Sequence, residues 1–260
     1  MNPITCRAAV RAASDHLAGL LSDAERRELD EHLADCDGCS NLMGQLRSAV
    51  AVLGARPEVQ VPDSLHSMVT LSGGDRAEAL TAQLPHLYAL ANALDANAAD
   101  DLVQETLTSA LADPDADTTG SVLAAALERL AAGRGPYFES PAIPMPGSDP
   151  DADEAELFYP DFYTDGPDAG AWVDPPVAWG EARVLRPDDD VITAEAYGAV
   201  DAALAELDPL DAGLVTLVDI EGAPFSRAVL QLDLPSGDAR CRLARARFAV
   251  RAALERYLQG

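Results

Sequence analysis

The spacing Cys6-x25-His32-x3-Cys36-x2-Cys39 constrains this chain more than anything else in its sequence. Three of the four cysteines and one of the four histidines fall in this set. Residues four apart share a helix face, so His32 and Cys36 project the same way. Asp37-Gly38 favours a tight turn that carries Cys39 back toward them. With Cys6 supplied by an earlier helix, the four side chains can close a tetrahedron. Zinc takes such a thiolate and imidazole set, and four protein ligands leave no open position for catalysis. The alternative is a reduced protein with scattered buried cysteines, but C-x-x-C with a histidine four residues upstream is a metal-binding pattern. The set reads as structural or regulatory rather than catalytic.

The flanking residues read as helices. A helical pattern runs from Cys6 to Leu21, and Ser22-Asp-Ala-Glu25 predicts a capping box at the next helix start. That helix carries Leu29, His32, Leu33 and Cys36 on one face, with Glu25, Arg26, Arg27, Asp30 and Glu31 opposite. A third helix is expected from Asn41 to about Leu53, with Leu42, Leu46, Val50 and Leu53 on one stripe. So short a segment buries little core and needs a staple. Zinc binding contributes ~10–16 kcal/mol in small peptides, enough to decide whether it folds.

The run from Cys6 through Ser14-Asp-His-Leu-Ala-Gly-Leu-Leu-Ser-Asp-Ala-Glu-Arg26 to Glu31-His32-Leu-Ala-Asp-Cys36-Asp-Gly-Cys39 resembles the zinc-binding anti-sigma domain. The resemblance covers residues 1–57 and implies Zn2+ held by Cys6, His32, Cys36 and Cys39. It implies a module that clamps the two halves of a group IV, or extracytoplasmic-function, sigma factor and keeps it off RNA polymerase. In some family members, oxidation of the zinc thiolates to a disulfide releases the sigma factor. Whether these thiolates sense oxidants stays open.

Composition narrows the class. Forty-four acids against eighteen arginines, with no lysine, give a formal charge of −26. So negative a chain is a poor indiscriminate binder of nucleic acid or anionic membrane. No apolar run approaches the ~20 residues of a membrane span. The opening MNPITCRAAV does not read as a signal peptide. A cytoplasmic protein is expected, since free thiols and zinc thiolates persist there. No nucleophile–base set or phosphate loop stands out, so the chain does not read as an enzyme.

After a linker, Arg56 to Pro62, residues 64–134 read as helical. Leu80, Leu84, Leu87, Leu90 and Leu94 form one stripe, and Pro85 within it predicts a break or kink. A turn at 95–97 leads to a helix whose buried face is Leu102, Val103, Leu107 and Leu111. The tract Leu87-Tyr88-Ala-Leu90-Ala91 followed by Ala99-Asp-Asp-Leu-Val-Gln-Glu-Thr106 resembles the start of sigma region 2. The resemblance implies that Asp100, Asp101, Gln104 and Glu105 face the polymerase clamp helices. It then fails: Thr118 to Leu130 has no aromatic and one arginine, where the family has a basic, aromatic-rich pair of helices. Residues 75–134 hold ten acids and three arginines. Capturing a melted strand takes aromatic stacking platforms and a positive groove, which this segment lacks.

Residues 135–192 carry fourteen acids, two arginines and eight of the thirteen aromatics. Charge and irregularity favour a disordered or loosely docked linker. The aromatics favour a strap that covers a basic surface, within the protein or on a partner. Both readings stand.

Residues 193–260 predict four helices: Ala194 to Leu207; one started by Asp208-Pro209 and ended near Gly222; Phe225 to Leu232; and a long one after Asp233-Leu-Pro-Ser-Gly237. In the last, Leu243, Ala246, Val250, Leu254 and Tyr257 share a stripe. Arg240, Arg242, Arg245, Arg247, Arg251 and Arg256 make it the one basic concentration of the chain. A helix-turn-helix places such a helix in the major groove. From Leu204 to about Arg251 the segment resembles sigma region 4, best at Gly222, the 234–237 turn and Arg240-Cys-Arg-Leu-Ala-Arg-Ala-Arg247. The resemblance implies reading of the −35 element, with Arg240, Arg242, Arg245, Arg247 and Arg251 at DNA. Ser226-Arg227 and Asp238 depart from the family pattern, and a carboxylate at 238 would face phosphates. Cys241 reads as a bland small residue.

The expected whole is all-α: a zinc-stapled module (1–57), a degenerate region 2-like domain (64–134), an acidic linker (135–192) and a region 4-like helix-turn-helix (193–260). The function expected is a sigma-like regulator contacting RNA polymerase core and promoter DNA, inhibited by its own zinc module. The competing reading is an anti-sigma factor or decoy that holds a separate sigma factor or occupies polymerase without initiating.

Overall fold

The computed structural model describes residues 4–56, 59–72, 74–113, 117–133, 162–163, 165–179 and 194–259. The architecture is all-α, as the sequence pattern predicts. Among the described residues there is no strand, only an isolated antiparallel bridge between Phe162 and Trp172. The helices are α1 (Cys6–Leu17), α2 (Asp23–Asp35), α3 (Asp37–Gly54), α4 (Asp63–Ser72), α5 (Gly74–Asp95), α6 (Ala99–Ala112) and α7 (Gly120–Gly133). After the acidic stretch come α8 (Ala194–Ala205), α9 (Pro209–Val215), a π-helical turn (Thr216–Ile220), α10 (Phe225–Gln231) and α11 (Ser236–Gln259).

The chain forms two units: 1–55, 142–203 and 240–260 make one; 56–141 and 204–239 the other. The boundaries therefore differ from a linear succession of modules. Most of α11 belongs with the amino-terminal helices.

In the first unit, α1 is capped by Thr5, whose hydroxyl accepts from the Ala8 amide at 3.2 Å. It stops at Leu17, short of the expected Leu21, because Gly19 turns the chain at φ +69 and its amide bonds back to His16. The capping box forms as expected. The Ser22 amide donates to Glu25 at 2.8 Å, and the Glu25 amide donates to the Ser22 hydroxyl. The Ser22 hydroxyl, at 2.7 Å, and the Ser22 amide both donate to the Glu25 carboxylate and hold it below its ordinary pKa. Asp37-Gly38 is not a free turn but the first turn of α3, which begins directly after α2. Ala9, Val10, Ala13, Leu29, Leu42, Met43 and Leu46 share one core with Phe162, Trp172 and Phe248. A helix trio this small thus borrows its outer layer from residues far along the chain.

In the second unit, α5 buries Leu80, Leu84, Leu87, Leu90 and Leu94 and runs unbroken through Pro85. The buried leucines on both sides of Pro85 anchor both halves, outweighing the lost backbone bond. On α6, Leu102, Val103 and Leu107 are buried and Leu111 is half-buried. α4, α6, α7 and α9 all pack on α5. α9 comes close because Gly213 leaves room: a Cβ there would sit 3.3 Å from Leu94 Cδ2. Asp208 caps α9 through the Leu210 amide, with Pro209 in the first turn, and Gly222 at φ +68 ends the π turn.

Candidate metal centre

Each donor of the Cys/His set is delivered by a helix terminus. Cys6 opens α1, His32 lies in the last turn of α2, Cys36 joins α2 to α3, and Cys39 sits in the first turn of α3. Their donor atoms all lie within 4.8 Å of one another. Cys6 Sγ and Cys36 Sγ are 3.7 Å apart, and His32 Nε2 is 3.3 Å from Cys39 Sγ. Zinc bonds of about 2.3 Å to sulfur and 2.0–2.1 Å to nitrogen give tetrahedral edges of about 3.8 and 3.6 Å. The donor set therefore fits zinc in number, type and spacing. None of the four cysteines forms a disulfide, and Cys241 is buried outside the set.

The electrostatics favour a cation there. Burial raises the pKa of Cys39 strongly; it also raises that of Cys6, with Cys36 adding to the rise. Three thiolates cannot share so dry a site without a positive ion to offset their repulsion. Burial lowers the pKa of His32, while the Ile4 backbone hydrogen bond and Asp35 oppose it. The imidazole is thus neutral, the form that ligates.

The acidic stretch contributes directly. Residues 162–163 and 165–179 fold back on α1 and α3. The Trp172 indole N–H donates to Cys39 Sγ at 3.1 Å, and the indole is tilted against Phe162 with centroids 4.5 Å apart. The Arg7 guanidinium lies 5.9 Å from the Phe162 ring centroid, within cation–π range. The Arg7 amide donates to the Gly170 carbonyl, and the Asn41 and Gln45 side-chain amides donate to the carbonyls of Pro176 and Val177. Of the two linker readings, these residues follow neither fully: they are docked, and what they cover is the thiol cluster. Tyr137, Phe138, Phe158 and Tyr159 lie outside the described residues.

The basic helix is placed where its sequence alone did not put it. Of its stripe, Leu243, Ala246, Val250 and Leu254 are buried and Tyr257 is half-buried, but Arg242, Arg247 and Arg251 are buried too, at 3%, 1% and 5% exposure. Arg247 Nη1 donates to the Ser14 carbonyl at 2.7 Å and the Ser14 hydroxyl at 3.0 Å. Arg251 Nε donates to Gln45 Oε1 at 2.7 Å, and its Nη2 pairs with Glu255 at 2.9 Å. Arg240 is exposed and 3.6 Å from Asp15; Arg245 is half-buried. The readable signal was Ser14 and Gln45, polar residues on otherwise apolar faces.

In the second unit, Asp100, Asp101, Gln104 and Glu105 are all exposed on α6, and the Tyr88 hydroxyl donates to Asp100 at 2.8 Å. A cavity of about 370 Å³ is lined by His86, Leu90, Leu217, Glu221 and Gln231, among others. Burial pushes the Glu221 carboxyl up to about 7 against the pull of Arg227, and its Oε2 lies 3.3 Å from His86 Nδ1. No described helix is long and apolar enough to cross a membrane.

A zinc-finger family model matches residues 6–40, the span that holds all four donors. No curated protein and no solved structure matches the chain. Residues 6–40 therefore match a zinc-finger domain of the kind typical of anti-sigma factors, and Cys6, His32, Cys36 and Cys39 form a potential metal site within it.

Proposed function

We propose that the chain is a sigma-factor-like transcription regulator that carries its own zinc-binding inhibitor. The observation that carries this reading is the burial of Arg242, Arg247 and Arg251 in one unit with the zinc finger. A helix whose Arg247 is held on Ser14 and whose Arg251 is held on Gln45 cannot offer them to phosphates. DNA contact through α11 requires the zinc module to let go. Tethering keeps the module near millimolar effective concentration, so release takes a real loss of affinity. The exposed acidic face of α6, Asp100, Asp101, Gln104 and Glu105, supports a contact to RNA polymerase core, and promoter DNA is the second partner. The setting is the cytoplasm, and the role is regulatory rather than enzymatic.

The test uses the full chain. Ser14→Arg sets a second guanidinium against Arg247 and opposes docking. With core polymerase, this variant is expected to bind promoter DNA more tightly than the parent and to raise specific initiation. Adding Arg240→Ala should weaken the gained binding and flatten its salt dependence. No DNA binding or initiation from either form removes the reading.

A second reading, an anti-sigma factor or polymerase decoy, is favoured by one feature of the sequence. The 118–130 segment lacks the aromatics and positive charge of a strand-melting surface. Inhibition of transcription by a separate sigma factor, with no initiation by this chain, distinguishes it.

A further inference from the structure

The zinc finger has four donors, yet it is closed by a residue 133 positions beyond Cys39. Trp172 reaches the cluster twice. Its indole N–H donates to Cys39 Sγ in a buried contact, and its backbone amide is hydrogen-bonded to Cys6. The residue is held there from several sides: by the bridge to Phe162, by the ring contact with it, and by the bonds from Asn41 and Gln45 to the segment that follows. Gly38, between two of the ligands, is the seat of the contact. A Cβ there would lie 2.8 Å from Pro175 Cβ and 3.1 Å from Trp172 Cδ1.

We propose that residues 162–163 and 165–179 form a clasp on the zinc site, in which Trp172 is a positioning residue that orients Cys39 Sγ and retards loss of the metal. Thiolate sulfur in zinc sites carries excess negative charge, and a fixed N–H donor disperses it while holding the side-chain rotamer. The indole also excludes water from the face of Cys39 through which a chelator or proton would approach. The acidic stretch is thus a working part of the metal centre, and motion of that stretch and stability of the metal site are linked in both directions.

The test compares the full-length parent, Trp172→Phe and Gly38→Ala, each loaded with zinc or with cobalt as a spectroscopic substitute. Trp172→Phe keeps an aromatic ring but removes the donor. Zinc transfer to a chromophoric chelator is expected to be about 10- to 100-fold faster than in the parent, the range found when a hydrogen-bond partner of a metal ligand is lost. The sulfur-to-cobalt charge-transfer band should also shift, which loss of packing alone does not cause. Gly38→Ala keeps the indole but pushes the clasp away, and should change release and band in the same direction. Unchanged release in Trp172→Phe overturns the proposal, as does faster release with an unmoved cobalt band. If Trp172→Phe fails to load metal, Gly38→Ala decides on the same two readouts. A parent that binds no equivalent of either metal overturns it as well.

Discussion

Arg247 and Ser14 are joined by two hydrogen bonds across 233 residues of sequence, with the guanidinium almost wholly buried. A buried cation of this kind is tolerated only because fixed acceptors meet its N–H groups. Arg247→Ala leaves the Ser14 carbonyl and hydroxyl without that donor and opens a void. The expected cost is about 2–4 kcal/mol, read as a lower urea midpoint for the first unit. Arg247→Lys, with one compact head in place of the fork, should lie between. An unchanged midpoint in Arg247→Ala would mean that the contact contributes nothing net.

Removing the metal should act on one unit and spare the other. With a zinc chelator at neutral pH, the helices of residues 6–54 lose their staple and helicity falls by their share. The transition of the second unit, whose leucine core contains no donor of the cluster, should keep its midpoint. The check is far-UV circular dichroism with urea titration, with and without chelator. Full helicity after verified zinc removal would show that the borrowed core suffices.

Glu221 gives the second unit a pH dependence of defined sign. Its folded pKa of about 7 stands above the ordinary 4.5, so its favourable state is the protonated one. That contribution is fully present below pH 4.5 and is lost as pH rises through 7. The parent should therefore lose on the order of 2–3 kcal/mol from this group between pH 5 and 8. Glu221→Gln should match the parent at pH 5 and exceed it at pH 8. Parallel stability–pH curves for the two proteins would contradict this assignment.

Gly170 is a backbone requirement of the clasp. It sits at φ +82, and a Cβ on it would come 2.8 Å from Thr5 Cβ. Gly170→Ala combines left-handed strain with a collision, a penalty of roughly 1–3 kcal/mol on docking. Limited proteolysis should then cut between 162 and 179 faster than in the parent, while Gly166→Ala, with open space around it despite φ +87, should cut less readily than Gly170→Ala. Equal cutting of all three proteins would count against a docked clasp.

Much of this was legible in the sequence, and the limit has a physical cause. The donor spacing, the Ser22–Glu25 box, the Asp208-Pro209 start and the leucine stripe of α5 are local features. Each is written within a short stretch of chain, and each appears in the fold. What sequence reading missed depends on long-range partners. Arginine at six positions of α11 fits a DNA-facing helix and a buried one equally well, because the choice rests on acceptors at Ser14 and Gln45. Trp172 likewise sat in a stretch that read either as linker or as a strap over a basic surface, and nothing near it in sequence names Cys39 as its partner. At Pro85 the break that its local rule allows does not occur, since leucines are buried on both sides.

The distance between Cys39 and Trp172 also orders events in time. A chain grows from its amino end at about 5–20 residues per second, so the 133 residues between them take roughly 7–27 s to make. All four ligands leave the ribosome well before the indole that covers them. During that interval the nascent site is bare and open to incoming metal. The same tryptophan that hinders escape in the finished protein cannot hinder entry, because it has not yet been synthesised.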